Sequence, residues 1–167
     1  MSVAKKIHAL SDKVDAVCSV ICAIVLTSMV LITGVQIICR LWFTALDWSE
    51  EITRYLLVWA TFIGAGCVYK RAGHISVTIV HLFVPPHIKK MMEFVTHLLC
   101  GAFFCLAAYH GYAYMSMQSY QLSAAMRIPM YWMYLAIPVG CGIMFLHVTD
   151  ALLKLFSGAC KEDEKAS

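Results

Sequence analysis

The sequence predicts an all-α integral membrane protein with four transmembrane helices and both termini in the cytoplasm. Of its 167 residues, 61% are hydrophobic and only 14% are charged, whereas about a quarter of the residues in a soluble globular domain carry charge. The mean hydropathy is +0.75, and the apolar residues fall in blocks long enough to cross a bilayer. Residues 1–167 therefore form a single membrane domain, with spans expected at about 16–39, 48–69, 94–117 and 128–149.

The first expected span follows a polar, basic segment of about fifteen residues. From Ala16 to Cys39 the chain has no charged residue. As a helix this stretch is roughly 36 Å long, which is enough to cross a bilayer with some tilt. Arg40 and the aromatic Trp42 indicate that the chain then leaves the membrane through an interface.

The second expected span begins near Trp48 and ends before the pair Lys70–Arg71. Either Asp47 or Ser49 has the side chain needed to cap a helix. Acidic residues in the first turn are favoured by the helix dipole. The sequence therefore predicts that a helix starts within a residue or two of Asp47.

Residues 72–90 form a connector between the second and third spans. Its apolar part, from His74 to Val84, is too short to cross a bilayer and is followed by Pro85–Pro86. A strand in lipid would leave backbone groups unpaired, so a short interfacial helix or re-entrant segment is expected here. The third span, 94–117, then leads into a polar loop, and the fourth span, 128–149, follows it with a belt of aromatic residues at its start.

The orientation follows from the distribution of lysine and arginine. Ten of the 13 basic residues lie in the N-terminal segment, the 72–90 connector with Lys70–Arg71, and the C-terminal tail. The other side of the membrane would hold only Arg40, Arg54 and Arg127. The positive-inside rule therefore places both termini in the cytoplasm and the start of the second span on the outer face.

Charged residues at the start of the second span are the strongest functional signal in the sequence. Glu50 and Glu51 precede Arg54 by four and three residues, so either acid can pair with the arginine along one helix face. Three interpretations remain open: a self-satisfied helix entrance, a polar contact with a partner chain, or an ion or substrate pathway. A pathway needs polar groups near the membrane centre, and the span is apolar from Tyr55 to Tyr69.

A redox membrane protein is the alternative function. His97 and His110 are about 140° apart around a helix, so they do not share the face that two stacked haems would need. His97 and His147 can lie at similar depth, which leaves one bis-histidine site geometrically possible. The eight cysteines lack a C-x-x-C spacing and are interpreted as small packing residues. A quinone-linked disulfide-forming enzyme lacks the cysteine pairs that it would need. A small multidrug exporter lacks the required acid in the first span.

The chain resembles the small membrane subunit, or DctQ component, of tripartite ATP-independent periplasmic (TRAP) transporters. The resemblance rests on Trp48-Ser49-Glu50-Glu51, Arg54-Tyr55, Trp59, Phe62-Ile63-Gly64-Ala65 and Arg71-x-Gly73-His74-Ile75-x-Val77. Ile128-Pro129-Met130-Tyr131-Trp132 is a weaker match. At Thr78 this chain departs from an acid that many members carry, so no role of an acid is expected there.

The resemblance implies a subunit rather than an enzyme, with no cofactor and no metal. Its partners would be a large membrane subunit that carries substrate and sodium, a periplasmic binding protein that delivers an organic acid, and membrane lipids, but not nucleic acid. Asp47 and Arg127 are candidates for contact with the binding protein. Candidate residues at the subunit interface are Trp48, Glu50, Glu51, Arg54, Trp59, Ala60, Gly64, Gly73 and His74.

Overall fold

A computed structural model of the chain describes residues 2–157 except Phe43, Ala45 and 73–85. Its helices are α1 (Ser2–Trp42), α2 (Asp47–Ala72), α3 (Pro86–Met117), α4 (Tyr131–Tyr134) and α5 (Ala136–Ser157). Four helical stretches, Lys5–Trp42, Asp47–Arg71, Lys90–Met117 and Tyr131–Leu155, are long and apolar enough to cross a membrane. The predicted fold class of four membrane helices is therefore confirmed.

The helix boundaries differ from the expected spans mainly where helices continue beyond the apolar blocks. Helix α1 extends back to Ser2, well before residue 16, and α3 begins at Pro86 rather than near residue 94. Proline is suited to a first helical position because its missing N–H has no partner there. Most of the expected interfacial or re-entrant segment, together with Gly73, His74 and Thr78, lies outside the described residues.

The fourth span begins later than expected and is divided into two helices. Residues 128–130 are not helical, and the short helix α4 is separated from α5 by Leu135. Pro138 stands in the first turn of α5. Leu135 has helical dihedral angles and its N–H donates to the carbonyl of Tyr131, while the N–H of Val139 donates to the carbonyl of Leu135. Pro138 lacks the N–H that would bond the carbonyl of Tyr134, four residues earlier, and so interrupts the hydrogen bonding between α4 and α5.

Helix α5 lies between α3 and α2, and α2 also packs against α1. Glycines allow the backbones to approach closely at these contacts. A Cβ atom built on Gly140 would lie 2.7 Å from the Cβ of Phe62, and one on Gly111 would lie 2.6 Å from the Cγ2 of Ile137. Non-bonded carbon atoms essentially never approach this closely, so a larger residue at either position would force the helices or side chains to shift.

Cysteines fill much of the contact between α1 and α2. Cys18 and Cys67 are buried with Ile63, and Trp59 packs against this cluster. The seven cysteines in the described part of the chain are free thiols. This arrangement agrees with their interpretation as small apolar packing residues.

The substitution Gly140→Ala is expected to destabilise the bundle, because its new methyl group meets Phe62. Overpacking of this kind costs about 1–3 kcal/mol. The matched control is Gly142→Ala on the same helix, where nothing lies within 4 Å of the added carbon. We expect the thermal unfolding midpoint of the detergent-solubilised chain to fall for Gly140→Ala and to stay level or rise for Gly142→Ala. Equal midpoints for the two variants would contradict this description of the α2–α5 contact.

Candidate partner-binding surface

The first turns of α2 meet the loop 118–130, which joins α3 to α4; we call this part of the molecule the Glu51 end. The loop folds back on itself through an isolated antiparallel bridge between Leu122 and Pro129. The N–H of Ser123 donates to the carbonyl of Ile128 at 2.9 Å, and the N–H of Met130 donates to the carbonyl of Gln121 at 2.8 Å. The loop therefore has a defined hairpin-like shape although it contains no regular strand.

Glu51 binds the tip of this loop to α2. Its Oε2 atom accepts hydrogen bonds from the N–H groups of Ala125 at 2.8 Å and Met126 at 3.2 Å. The hydroxyl of Tyr55 donates to the other carboxylate oxygen, Oε1, at 2.5 Å. Both oxygens are thus used within the chain, and charge-assisted hydrogen bonds are stronger than those between neutral groups.

Trp59 lies one helical turn beyond Tyr55 and continues the same contact. Its indole Nε1–H donates to the carbonyl of Trp132 in α4 at 3.2 Å. Residues Glu51, Tyr55 and Trp59 are spaced four apart and therefore form one face of α2. This face attaches the helix to the loop and to α4.

Glu50 has a different role from Glu51. It pairs with Arg54, with 3.5 Å between Glu50 Oε1 and Arg54 Nη2, and the two side chains are 72% and 64% exposed. The sequence left open which acid pairs with the arginine, and the structure selects Glu50. Exposed ion pairs of this kind contribute little to stability, so the pair is easily broken. Because both side chains are exposed, both charged groups are also accessible to a partner.

Further exposed residues surround this pair. Asp47 and Trp48 are exposed in the first turn of α2, and Arg127 is exposed on the loop. Ser49 is buried, and its hydroxyl donates to the carbonyl of Leu46 at 2.7 Å. Helix α2 begins at Asp47, within the residue or two that the sequence predicted, and the Ser49 hydroxyl donates to a carbonyl rather than accepting a helix N–H in this contact.

Arg127 has an unusual backbone conformation. Its φ angle is 56°, the left-handed region, in which non-glycine residues are uncommon. It follows directly after the two amides held by Glu51. The carboxylate therefore stabilises the turn that presents this arginine. Sequence reasoning selected Arg127 because it is a charge expected to be exposed on the outer side, and it did not identify the connection to Glu51.

The small residues Ala60 and Gly64 face α1 of the same chain. Ala60 is buried, and its carbonyl accepts from the thiol of Cys22 at 3.8 Å. A Cβ atom on Gly64 would lie 3.5 Å from the Cys22 sulfur. These two residues form part of the internal packing, whereas Trp48, Glu50 and Arg54 remain exposed.

A second polar network joins the opposite end of α2 to the start of α1 and the end of α5; we call it the Lys70 end. Lys70 binds Asp12 at 2.6 Å, Arg71 binds Asp15 at 3.3 Å, and His8 binds Asp150 at 3.3 Å. Sequence reasoning missed these pairs. Their signal was available, since the predicted orientation places Asp12 and Asp15 on the same side as Lys70–Arg71.

The two histidines considered for a redox site also lie at the Lys70 end. The Nδ1 atom of His97 is 2.8 Å from the Tyr69 hydroxyl, and that of His147 is 2.9 Å from the Ser11 hydroxyl. Both histidines line one small cavity, as their expected depth suggested. In the described part of the chain, no group of three or more His, Cys, Asp or Glu residues could hold a metal ion.

These features define a small multi-pass membrane protein with polar contacts at both ends of its helices and uncharged spans between them. The chain belongs to the DctQ component family of tripartite ATP-independent periplasmic transporters, whose model matches residues 29–158. It is 26% identical over 93 residues to a Haemophilus influenzae protein named as a TRAP transporter small permease protein. That match covers 55% of this chain and 58% of the relative, little more than half of its length.

The substitution Glu51→Ala is expected to release the loop from α2, because both amides at its tip lose their acceptor. Hydrogen exchange at Ala125 and Met126 should accelerate by about tenfold. Glu50→Ala removes an equal charge from the neighbouring position but leaves the loop contact intact, so exchange at these amides should not change. Similar exchange rates in the wild type and Glu51→Ala would show that other contacts hold the loop.

Proposed function

We propose that this protein is the small, non-catalytic membrane subunit of a sodium-coupled TRAP transporter in the bacterial inner membrane. The transporter takes up an organic acid: a dicarboxylate, another carboxylate or sialic acid. Membership of the DctQ family supports the subunit assignment. The excess of lysine and arginine on one side of the spans supports cytoplasmic termini and a periplasmic position for the Glu51 end.

The observation that carries this proposal is the organisation of the Glu51 end. Glu51 holds the loop tip by two backbone hydrogen bonds, while Asp47, Glu50, Arg54 and Arg127 leave their charged groups exposed. This surface is held in place by internal hydrogen bonds and carries exposed charges. Such a surface is suited to recognising a folded partner, because little conformational entropy is lost when the partner binds. We assign this surface to contact with the large membrane subunit and the periplasmic binding protein.

The spans themselves support a structural role rather than a transport role. Residues 16–39, 55–69 and 128–149 contain no Asp, Glu, Lys or Arg, and neither do residues 94–117. Ionisable groups near the membrane centre are typical of ion and proton pathways. In the proposed complex, substrate and sodium sites therefore belong to the large subunit, and this chain supports it from the side.

Transport assays on the purified chain in proteoliposomes distinguish a structural subunit from a chain that transports on its own. Proteoliposomes that contain this chain alone should take up no organic acid under a sodium gradient. Adding the large subunit and the loaded binding protein should give sodium-dependent uptake, and omitting this chain should reduce it. Uptake by the chain alone would refute the proposal, and a visible Soret band in the purified chain would favour the haem protein instead.

Charge reversal at Arg127 tests the contact with the binding protein. Arg127→Glu is expected to raise the concentration of loaded binding protein needed for half-maximal uptake by about fivefold, because a contact charge changes sign. Arg127→Lys keeps the charge and should behave like the wild type. Arg127→Gly removes the charge but can keep the left-handed backbone. If Arg127→Glu weakens binding and Arg127→Gly does not, the effect is repulsion by the introduced acid and not loss of a contact made by the arginine. An unchanged half-saturation in Arg127→Glu would exclude this residue from the interface.

A further inference from the structure

A small cavity at the Lys70 end is not used by the proposed partner contacts. It lies between the last turns of α2, the first half of α3 and the second half of α5, and its wall includes Tyr69, Lys70, His97 and His147. About 20 Å³ of this cavity is open to the centre of a water molecule. A single water needs roughly 10–15 Å³ on this measure, so the cavity has room for about one water and for no larger ligand.

The charged groups at the Lys70 end balance one another. Three ion pairs each join one carboxylate to one basic side chain: Asp12 to Lys70 at 2.6 Å, Asp15 to Arg71 at 3.3 Å, and Asp150 to Lys154 at 3.8 Å. A molecule in the cavity therefore meets polar groups but little net charge. This balance favours an uncharged ligand that can both donate and accept hydrogen bonds.

The buried ring of His147 points to such a ligand. The residue is 2% exposed, and its Nδ1 atom pairs with the Ser11 hydroxyl at 2.9 Å. Its Nε2 atom is buried and has no hydrogen-bond partner in the described part of the chain. The two nitrogens of an imidazole point in diverging directions, so Nε2 faces away from Ser11. Buried polar atoms nearly always have a partner, and this one calls for an additional group.

Two other groups in the cavity wall can complete the hydrogen bonding of a water. The Tyr69 hydroxyl is 2.8 Å from Nδ1 of His97, and a hydroxyl can take part in more than one hydrogen bond. The ammonium group of Lys70 has three N–H donors and binds Asp12 through its Nζ atom. Together with His147, these two residues offer three partners, which is the usual number for a buried water.

We propose that this cavity holds one buried water molecule that joins His147 to Tyr69 and Lys70. The Ser11 hydroxyl donates to Nδ1 of His147, so Nε2 carries the proton and donates it to the water. The water also accepts from Lys70 and donates to the hydroxyl oxygen of Tyr69.

This water would connect the four membrane-spanning helices in one hydrogen-bonded network. The contact between Ser11 and His147 joins α1 to α5, and the contact between Tyr69 and His97 joins α2 to α3. The water is the link between these two contacts. The inference does not depend on the transporter assignment, because it rests only on residues at the Lys70 end.

A crystal structure of the full-length chain, grown in a lipid mesophase and at a resolution that shows ordered water, tests the site directly. We expect one density peak within about 3.2 Å of Nε2 of His147. A dry cavity, or an ion or lipid group in place of the water, would overturn the proposal.

A double-mutant cycle tests whether the water joins Tyr69 to His147. His147→Asn can keep the contact with Ser11 but lacks an Nε2 atom, and Tyr69→Phe lacks the hydroxyl. Each variant should lower the thermal unfolding midpoint of the detergent-solubilised chain. The double variant should lose clearly less than the sum of the two single losses, because either change alone already disrupts the same water.

His110→Asn is the matched control, since it makes the same substitution at an exposed histidine of α3 outside the cavity. Its loss should add to that of Tyr69→Phe. Additive losses for His147→Asn and Tyr69→Phe would show that the two side chains act separately and would refute the shared water. If a variant does not fold, the crystal structure of the wild-type chain still decides.

Discussion

Close approach of α5 to its two neighbours is the constraint on which the rest of the structure depends. In a bilayer, apolar side chains gain little by leaving lipid for protein, so helices associate through close packing and hydrogen bonds. Here α2 and α5 approach at Gly66 and Gly140, and α3 and α5 approach at Gly111, each position leaving less than 3 Å for an added carbon. Because α5 is held on both sides, the contacts at the two ends of the bundle have a rigid base.

Two adjacent acids with opposite roles illustrate how helix geometry divides packing from function. A step of 100° turns Glu51 toward the loop and leaves Glu50 on the surface. Glu51 then shares its face with Tyr55 and Trp59, and all three contact the segment after α3 or each other. Glu50 instead pairs with Arg54, and both side chains are exposed. The stretch from Glu50 to Trp59 therefore contains both an internal attachment and an exposed ion pair.

The sequence predicted the four spans because uncharged blocks of membrane length are a strong signal. It did not predict where the helices end. Helix α1 continues back to Ser2, and its first turns pair with residues far away in sequence, for example Asp12 with Lys70. Such long-range pairs cannot be read from hydropathy. Ala60 and Gly64 were candidates for the subunit interface, and both contact Cys22 of α1 within this chain, because a small-residue pair does not specify which helix it packs against. The loop 118–130 was expected only as a polar connection, because its shape depends on a carboxylate far away in sequence.

The distance between the two polar ends bears on how such a subunit acts. Glu51 and Lys70 are 19 residues apart on one continuous helix, which corresponds to about 29 Å. A carrier has to open a central site alternately to both sides, whereas this helix is packed along its length against α1 and α5 and carries charge only near its ends. A conformational change at one end could be transmitted to the other only if whole helices moved relative to each other, and the close glycine contacts leave little space for such movement. We infer that the chain acts as a rigid spacer, which holds the surface proposed for partner contact at the Glu51 end at a fixed distance from the ion pairs of the Lys70 end.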